Sequence, residues 1–382
     1  MKQSLNHSAT AIETLQEEAL QLLKDLIETP SLSKEEDQTA LLLEQWFSSR
    51  SIPCNRQKNN VWTRNKYFDE TKPNLLLNSH HDTVKPNSAY TRDPFSANIE
   101  DGKLYGLGSN DAGGCITALL ASFTYFWEAD DLRFNLIFAG TAEEEINGKN
   151  GIASLLPLLP EIEAAIVGEP TRMDMAVAEK GLVVFDACVK GTPSHAAHRN
   201  NDNAIYKTAE VLNWFRDFRF EKVSETLGEV KLTVTQISAG SQHNVVPAQV
   251  DLVIDVRVND CYTNAEIDRI LKEQAPVDLL KARSLRLSSS GISEEHPLVK
   301  AGKKLGMKTY GSPTLSDQAL LSCPSLKLGP GDSTRSHSAD EFIYVEEFKV
   351  GIIKYIELIN IANKDLTSGS SILKNTDYET LG

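Results

Sequence analysis

The chain has 382 residues, more than one ordinary domain, and 41% of them are apolar, enough for sizeable cores. Its net charge of −14 and pI near 5.1 argue against nucleic acid or an anionic membrane surface as a partner. No run approaches the roughly 18 uninterrupted apolar residues of a membrane span, so no membrane partner is expected.

Met1 to Ser8 lack the apolar stretch of a signal peptide. Residues 11–28 carry Ile12, Leu15, Ala19, Leu20, Leu22, Leu23 and Leu26 at a helical period. A second helix is predicted over 33–47, with Ser33-Lys34-Glu35-Glu36 spaced as a capping box. The apolar run 73–79 reads as a buried strand that ends in His80-His81-Asp82. Asp111 opens a third helix, apolar through Phe126, at whose N-terminus a carboxylate is electrostatically favoured. Run 134–141 leads into Ala142-Glu143-Glu144-Glu145, and run 164–167 into Gly168-Glu169-Pro170.

The middle of the chain changes character. Segments 181–190, 230–238, 249–258 and 283–289 alternate like strands, and 204–218 and 264–274 have a helical period. The order β-α-β-β-α-β predicts a ferredoxin-like α+β module. After it the first pattern returns: the apolar run 325–328 leads into Gly329-Pro330-Gly331-Asp332, with His337 shortly beyond. Residues 345–363 read as a closing helix, and the tail from Asp365 is polar and expected to be loosely ordered. The expected architecture is an α/β catalytic domain with a central mixed, largely parallel sheet, built from 1–180 and 292–382. Residues 181–291 form an inserted ferredoxin-like domain. The five cysteines, Cys54, Cys115, Cys188, Cys261 and Cys323, lie far apart without CxxC spacing and are expected to be buried small hydrophobes. That usage suits a reducing compartment, so a cytoplasmic protein is expected.

Four strands thus end in metal-type ligands, and in an open α/β sheet ligands gather beyond the carboxyl ends of the strands. His80 and Asp82 point to one side of an extended segment, one able to bind metal and the other to orient it. Asp111 lies among glycines that admit close approach of backbone. Within Glu143-Glu144-Glu145 one carboxylate can bind metal while its neighbour holds a proton. Adding Glu169 and His337 gives a mixed N/O donor set suited to zinc and its neighbours. Together these segments describe a two-metal hydrolase.

At these residues the chain resembles the M20 metallopeptidase family, with every motif in family order. The resemblance implies that His80, Asp111 and Glu169 hold one ion and Asp111, Glu145 and His337 the other, with Asp82 orienting His80. It implies Glu144 as general base. The inserted module resembles the family's lid and dimerisation domain, which implies a homodimer. There His195 matches a histidine that polarises the scissile carbonyl, often from the partner subunit, and Asn244 and Arg257 match residues that meet substrate. Arg257 equally suits a strand-end salt bridge. Leu315 stands in Pro313-Thr314-Leu315-Ser316-Asp317 where the family commonly has threonine, a departure in the substrate pocket. Ala112-Gly113-Gly114 after Asp111 and Glu143 in place of aspartate are two further departures.

The resemblance implies two divalent cations, Zn²⁺ first, with Co²⁺ or Mn²⁺ as alternatives, and a small-molecule N-acyl amino acid as substrate. Segments 106–111 and 313–318 look most like those of acetylornithine deacetylases, including relatives acting on acyl-citrulline, which would place the chain in arginine biosynthesis. Succinyl-diaminopimelate desuccinylase, acetyl-lysine deacetylase and dipeptidase are the alternatives within the family. A catalytically silent binding protein of the same fold is the alternative outside enzymes.

Overall fold

The computed structural model describes residues 9–365; Met1 to Ser8 and the tail after Asp365 lie outside them. The chain divides into two compact units. The first comprises the residues up to Val177, Ile292–Tyr310 and those from Ser316 onward; the second comprises Ala178–Gly291 with Gly311–Leu315.

The core of the first unit is a sheet whose four central strands run parallel: Asn135–Thr141, Asn74–His80, Ala164–Val167 and Ser325–Lys327, in that spatial order. Antiparallel strands flank them, Asn60–Arg64 and then Asn55–Gln57 on one side and Met175–Glu179 on the other. The central strands are apolar at nearly every position because both faces are covered. Leu75, Leu77, Leu136, Phe138, Ala164 and Ile166 face the larger core. Leu76, Ile137, Ala139 and Ala165 face a smaller cluster with Ile152 and Leu155.

Helices build the larger layer. Gly114–Phe126 is buried over nearly its whole circumference, which is why its sequence is apolar almost throughout, and it packs against Ala9–Glu28 and Val345–Asp365. The closing helix adds Phe348, Ile352, Tyr355 and Ile359 to the core, and the Tyr355 hydroxyl donates to the Leu328 carbonyl.

Two local expectations fail here. The second helix is Asp37–Ser49 and has no side-chain cap. Ser33 donates its hydroxyl to Asp82 Oδ2 at 2.7 Å, and Glu36 accepts the N–H of Lys34 at 2.5 Å and of Glu143 at 3.3 Å. Both residues of the apparent capping box are thus recruited by the site. Asp111 does not cap the third helix either. It lies in the Ser109–Gly113 turn with φ −123° and ψ 100°, outside helical values.

The second unit carries a four-stranded antiparallel sheet in the order Lys231–Ala239, Gln249–Val258, Gly181–Lys190, Leu279–Ala282. In chain order that is second, third, first, fourth, with Ala204–Asp217 and Asn264–Gln274 packed on one face: the ferredoxin-like arrangement. Asn203 caps the first of these helices and a Thr263–Glu266 capping box the second. The fourth strand is displaced from the expected 283–289. Pairing of Leu279 with Cys188 and Ala282 with Phe185 sets it earlier; the Arg283 N–H still donates to the Val184 carbonyl at 2.8 Å while its side chain pairs with Asp186. Of the five cysteines, Cys115 and Cys188 are buried, whereas Cys54, Cys261 and Cys323 are only partly so. Among the described residues no helix is long and apolar enough to cross a membrane.

Candidate metal centre

Parallel register carries the candidate donors to one edge. His80 ends its strand opposite Thr141, and Asn78 lies opposite Val167. Glu143, Glu144 and Glu145 therefore emerge just beyond His80 on one side and Glu169 on the other, while Lys327 pairs with Val167 and aims the loop that bears His337 at the same edge.

His80 is nearly fully buried. Its Nδ1 donates to the Asp82 carbonyl at 2.9 Å and lies 3.4 Å from Asp82 Oδ1. That arrangement directs Nε2 to Asp111 Oδ1 at 3.3 Å, Glu169 Oε1 at 3.8 Å and Glu144 Oε2 at 3.9 Å. His81 points away, between the Thr39 hydroxyl and the Asn59 carbonyl, each at 2.9 Å, and burial holds it at about 4, hence neutral. Asp82 is fully buried; Oδ1 accepts the backbone N–H of Glu144 at 3.0 Å and Oδ2 that of Glu145 at 3.2 Å. It thus fixes both His80 and the acidic loop.

Asp111 reaches both imidazoles, with Oδ2 3.7 Å from His337 Nε2. His337 Nε2 also meets Glu145, at 3.1 and 3.0 Å from its two oxygens. Donor atoms of His80, Asp111 and Glu145 lie within 4.8 Å of one another, and so do those of His80, Glu144 and Glu169. His80 is common to both groups, so proximity alone does not divide the donors between two ions.

Electrostatics test whether a cation fits. Burial, then the charges of Glu169, Asp317 and Glu145, push Glu144 well above the ordinary carboxylate range against the pull of His80. Burial and the Asp111 charge raise Glu169 to about 8, and burial also raises Glu145. Burial would lower His80, but Asp111, Asp82, Glu144 and Glu169 outweigh it and the imidazole is held well above its usual value. The hydrogen bond that His337 donates to Glu145, opposed by burial, raises the imidazole to about 9. Carboxylates crowded into one desolvated pocket repel one another unless positive charge is supplied, by the protonated imidazoles or by a cation that takes their place. Oxygen donors with imidazole nitrogen, His80 being backed by the Nδ1 hydrogen bond to Asp82, suit zinc, cobalt or manganese. The residues present fit divalent cations.

Of the other expected site residues, His195, Asn244, Arg257 and Leu315 belong to the second unit. His195 is exposed on a two-residue ribbon opposite Val245, and the neighbouring Ala196 N–H donates to the Asn244 carbonyl at 2.9 Å. Arg257 pairs with Asp255 on its own strand at 2.9 Å. Leu315 is half-buried.

Two acids escaped sequence reasoning. Asp317, buried beside the site, accepts the Thr141 hydroxyl at 2.7 Å and is raised by burial to about 6. Glu341, also buried, accepts backbone N–H groups of the Asp111 turn. Asp317 follows Leu315 and Ser316 in the segment already noted; Glu341 follows His337 by four positions. Position beside a flagged residue was the one available signal.

Residues 76–360 match the peptidase family M20/M25/M40. An acetylornithine deacetylase from Shigella sonnei (strain Ss046) is 28% identical over 359 residues, 85% of this chain and 92% of its own length. Among solved structures, the M20 family metallo-carboxypeptidase Sso-CP2 from Sulfolobus solfataricus has a TM-score of 0.73 at 18% identity, over 91% of this chain and 99% of that one. The Bacillus subtilis YXEP protein, a dinuclear metal binding peptidase, has a TM-score of 0.71 at 16% identity, over 93% of this chain and all (100%) of its own. At these identities the structures speak to the fold, an α/β sheet of the M20 peptidase type.

Proposed function

We propose that this chain, which belongs to the peptidase family M20/M25/M40, hydrolyses the N-acyl amide of an N-acyl amino acid using two divalent cations. N-acetylornithine is the first candidate substrate and N-acyl-citrulline the second, a step within arginine biosynthesis. The observation that carries the two-ion reading is Asp111, whose two oxygens face His80 and His337 separately at 3.3 and 3.7 Å. The acetylornithine assignment is supported by the 28% identical deacetylase and rests on that likeness.

His80, Asp111 and Glu169 would hold one ion, and Asp111, Glu145 and His337 the other. Bound ions would supply Lewis-acid activation of the water and polarisation of the substrate carbonyl. Glu144 takes the proton from the attacking water as the C–O bond forms, then delivers it to the amine as the C–N bond breaks, releasing carboxylate and amino acid. Asp82 keeps Glu144 and Glu145 in register through their backbone N–H groups. His195 would donate to the developing oxyanion from the second unit, which we take to act as lid and dimerisation domain of a homodimer.

The test is a substrate panel of acetylornithine, acetylcitrulline, their succinyl analogues, succinyl-diaminopimelate, acetyl-lysine and a dipeptide, with zinc, cobalt and manganese compared. Highest kcat/KM on acetylornithine or acetylcitrulline is expected. Preference for another member reassigns the substrate. Metal binding without turnover on any member would favour a silent binding protein.

A further inference from the structure

Asn110 and Asp111 lie where the chain leaves its Gly-rich loop and has not yet entered the third helix. Because Asp111 and Ala112 depart from helical φ and ψ, the helical ladder does not organise this turn. Buried N–H groups left without acceptors there would cost heavily. Both find the same atom: Glu341 Oε1 accepts the N–H of Asn110 at 2.9 Å and the N–H of Asp111 at 2.9 Å.

Glu341 is itself only 1% exposed, and its backbone is fixed on both sides. Its carbonyl accepts the Gly106 N–H at 2.9 Å. The next residues, Phe342, Ile343 and Tyr344, pair in register with Tyr105, Leu104 and Lys103. Upstream, the Asn110 side chain donates to the Asp332 carbonyl at 3.1 Å and accepts the Asp332 N–H at 2.9 Å. The loop bearing Asp111 and the loop bearing His337 are therefore laced together from both ends, and the Glu341 carboxylate is part of the lacing. The two donors so joined are those 3.7 Å apart across the second cation position.

We infer that Glu341 is a positioning residue whose carboxylate oxygen sets the peptide planes at Asn110 and Asp111, and so the reach of Asp111 toward His337. The inference rests on the two-cation reading of the site. It assigns Glu341 no contact with substrate or ion. A rotation of the Asp111 peptide swings both its carboxylate oxygens, and donor placement matters to ion affinity within a few tenths of an ångström. Glutamine offers a carbonyl oxygen at the same reach and can accept both N–H groups; alanine offers none.

The experiment titrates the chelator-stripped full chain with Co²⁺, reading visible absorption and bound ions per chain, and repeats the titration with Zn²⁺ against a competing chelator. Wild type and Glu341→Gln are expected to bind two ions with similar affinities. Because Asp111 is shared, Glu341→Ala should weaken both ions, the one facing His337 by ~10–100-fold. Retention of both affinities in Glu341→Ala overturns the inference, as does an equal loss in Glu341→Gln. If Glu341→Ala does not fold, Glu341→Asp, one methylene short, replaces it: weakened ion binding supports the inference, and unchanged binding overturns it. A wild type that binds fewer than two ions would sink the two-cation reading itself and this assignment with it, a failure seen before any variant is compared.

Discussion

Glu145 faces the His337 imidazole with both carboxylate oxygens, at 3.1 and 3.0 Å from Nε2. Without metal this is an ion pair that holds His337 at about 9 against its ordinary 6.5. The folded state then binds the proton more tightly than the unfolded chain. The pair's stabilisation is complete below about pH 6.5 and is lost as pH rises through about 9. In chelated protein, the melting difference between wild type and His337→Asn should be present near pH 6 and vanish by about pH 10. An incoming cation must displace the same proton. Displacing this one proton should make Zn²⁺ affinity rise by about tenfold per pH unit below about 9, and any further ligand proton displaced steepens the rise, checked by chelator competition.

Glu169 has the opposite use for a cation. Its carboxyl is raised to about 8 from the ordinary 4.5. The metal-free fold is best placed below about pH 4.5, where both states are protonated. It loses ground until about pH 8, because only the unfolded chain ionises freely. Glu169→Gln removes that loss. In chelator at about pH 8.5 it should be more stable than wild type by on the order of 2 kcal/mol, with little difference near pH 4. With Zn²⁺ present the order should reverse. Denaturant midpoints with and without metal measure both.

Adjacent carboxylates should separate cleanly by substitution. Glu144→Gln should keep both ions while kcat falls on the order of 10²-fold or more. Glu145→Gln should weaken one ion. Metal content and kcat on the preferred substrate are the measurements; loss of metal from Glu144→Gln with retention in Glu145→Gln would exchange the two roles.

His195→Ala should lower kcat with metal content unchanged, since the residue is assigned to the oxyanion. Mixing His195→Ala with Glu144→Gln subunits tests whether the histidine comes from a partner. Mixed dimers should then recover activity, because one of their two sites combines both intact residues. No recovery, with subunit exchange confirmed by mass spectrometry, would assign His195 to its own chain.

The central strands were legible because burial on both faces erases alternation and leaves short apolar runs such as 75–77 and 136–139, whose ends mark the sheet edge directly. What sequence could not reveal is where polar side chains are diverted. The spacing from Ser33 to Glu36 is right for a cap, yet Asp82, 49 positions on, takes the hydroxyl. The alternation at 283–289 is real, yet pairing with Phe185 to Cys188 begins the strand at Leu279. Arg257 suited both a substrate contact and a salt bridge, and its Asp255 partner shows the second is made. Asp317 and Glu341 are single acids whose significance lies wholly in the hydroxyl and amides that tertiary packing brings to them.

The Ser325–Lys327 strand fills a slot between Ala164–Val167 and the Met175–Glu179 strand, yet the ribosome makes it about 150 residues after them, on the order of 10 s later at ordinary elongation rates. Until then the Ala164–Val167 strand carries an open, apolar edge, the kind of surface that recruits strands from other chains. The nascent protein must therefore pass through a stage with a gap in the middle of its sheet, and chains that stall before Ser325 should be the ones that aggregate or call on chaperones.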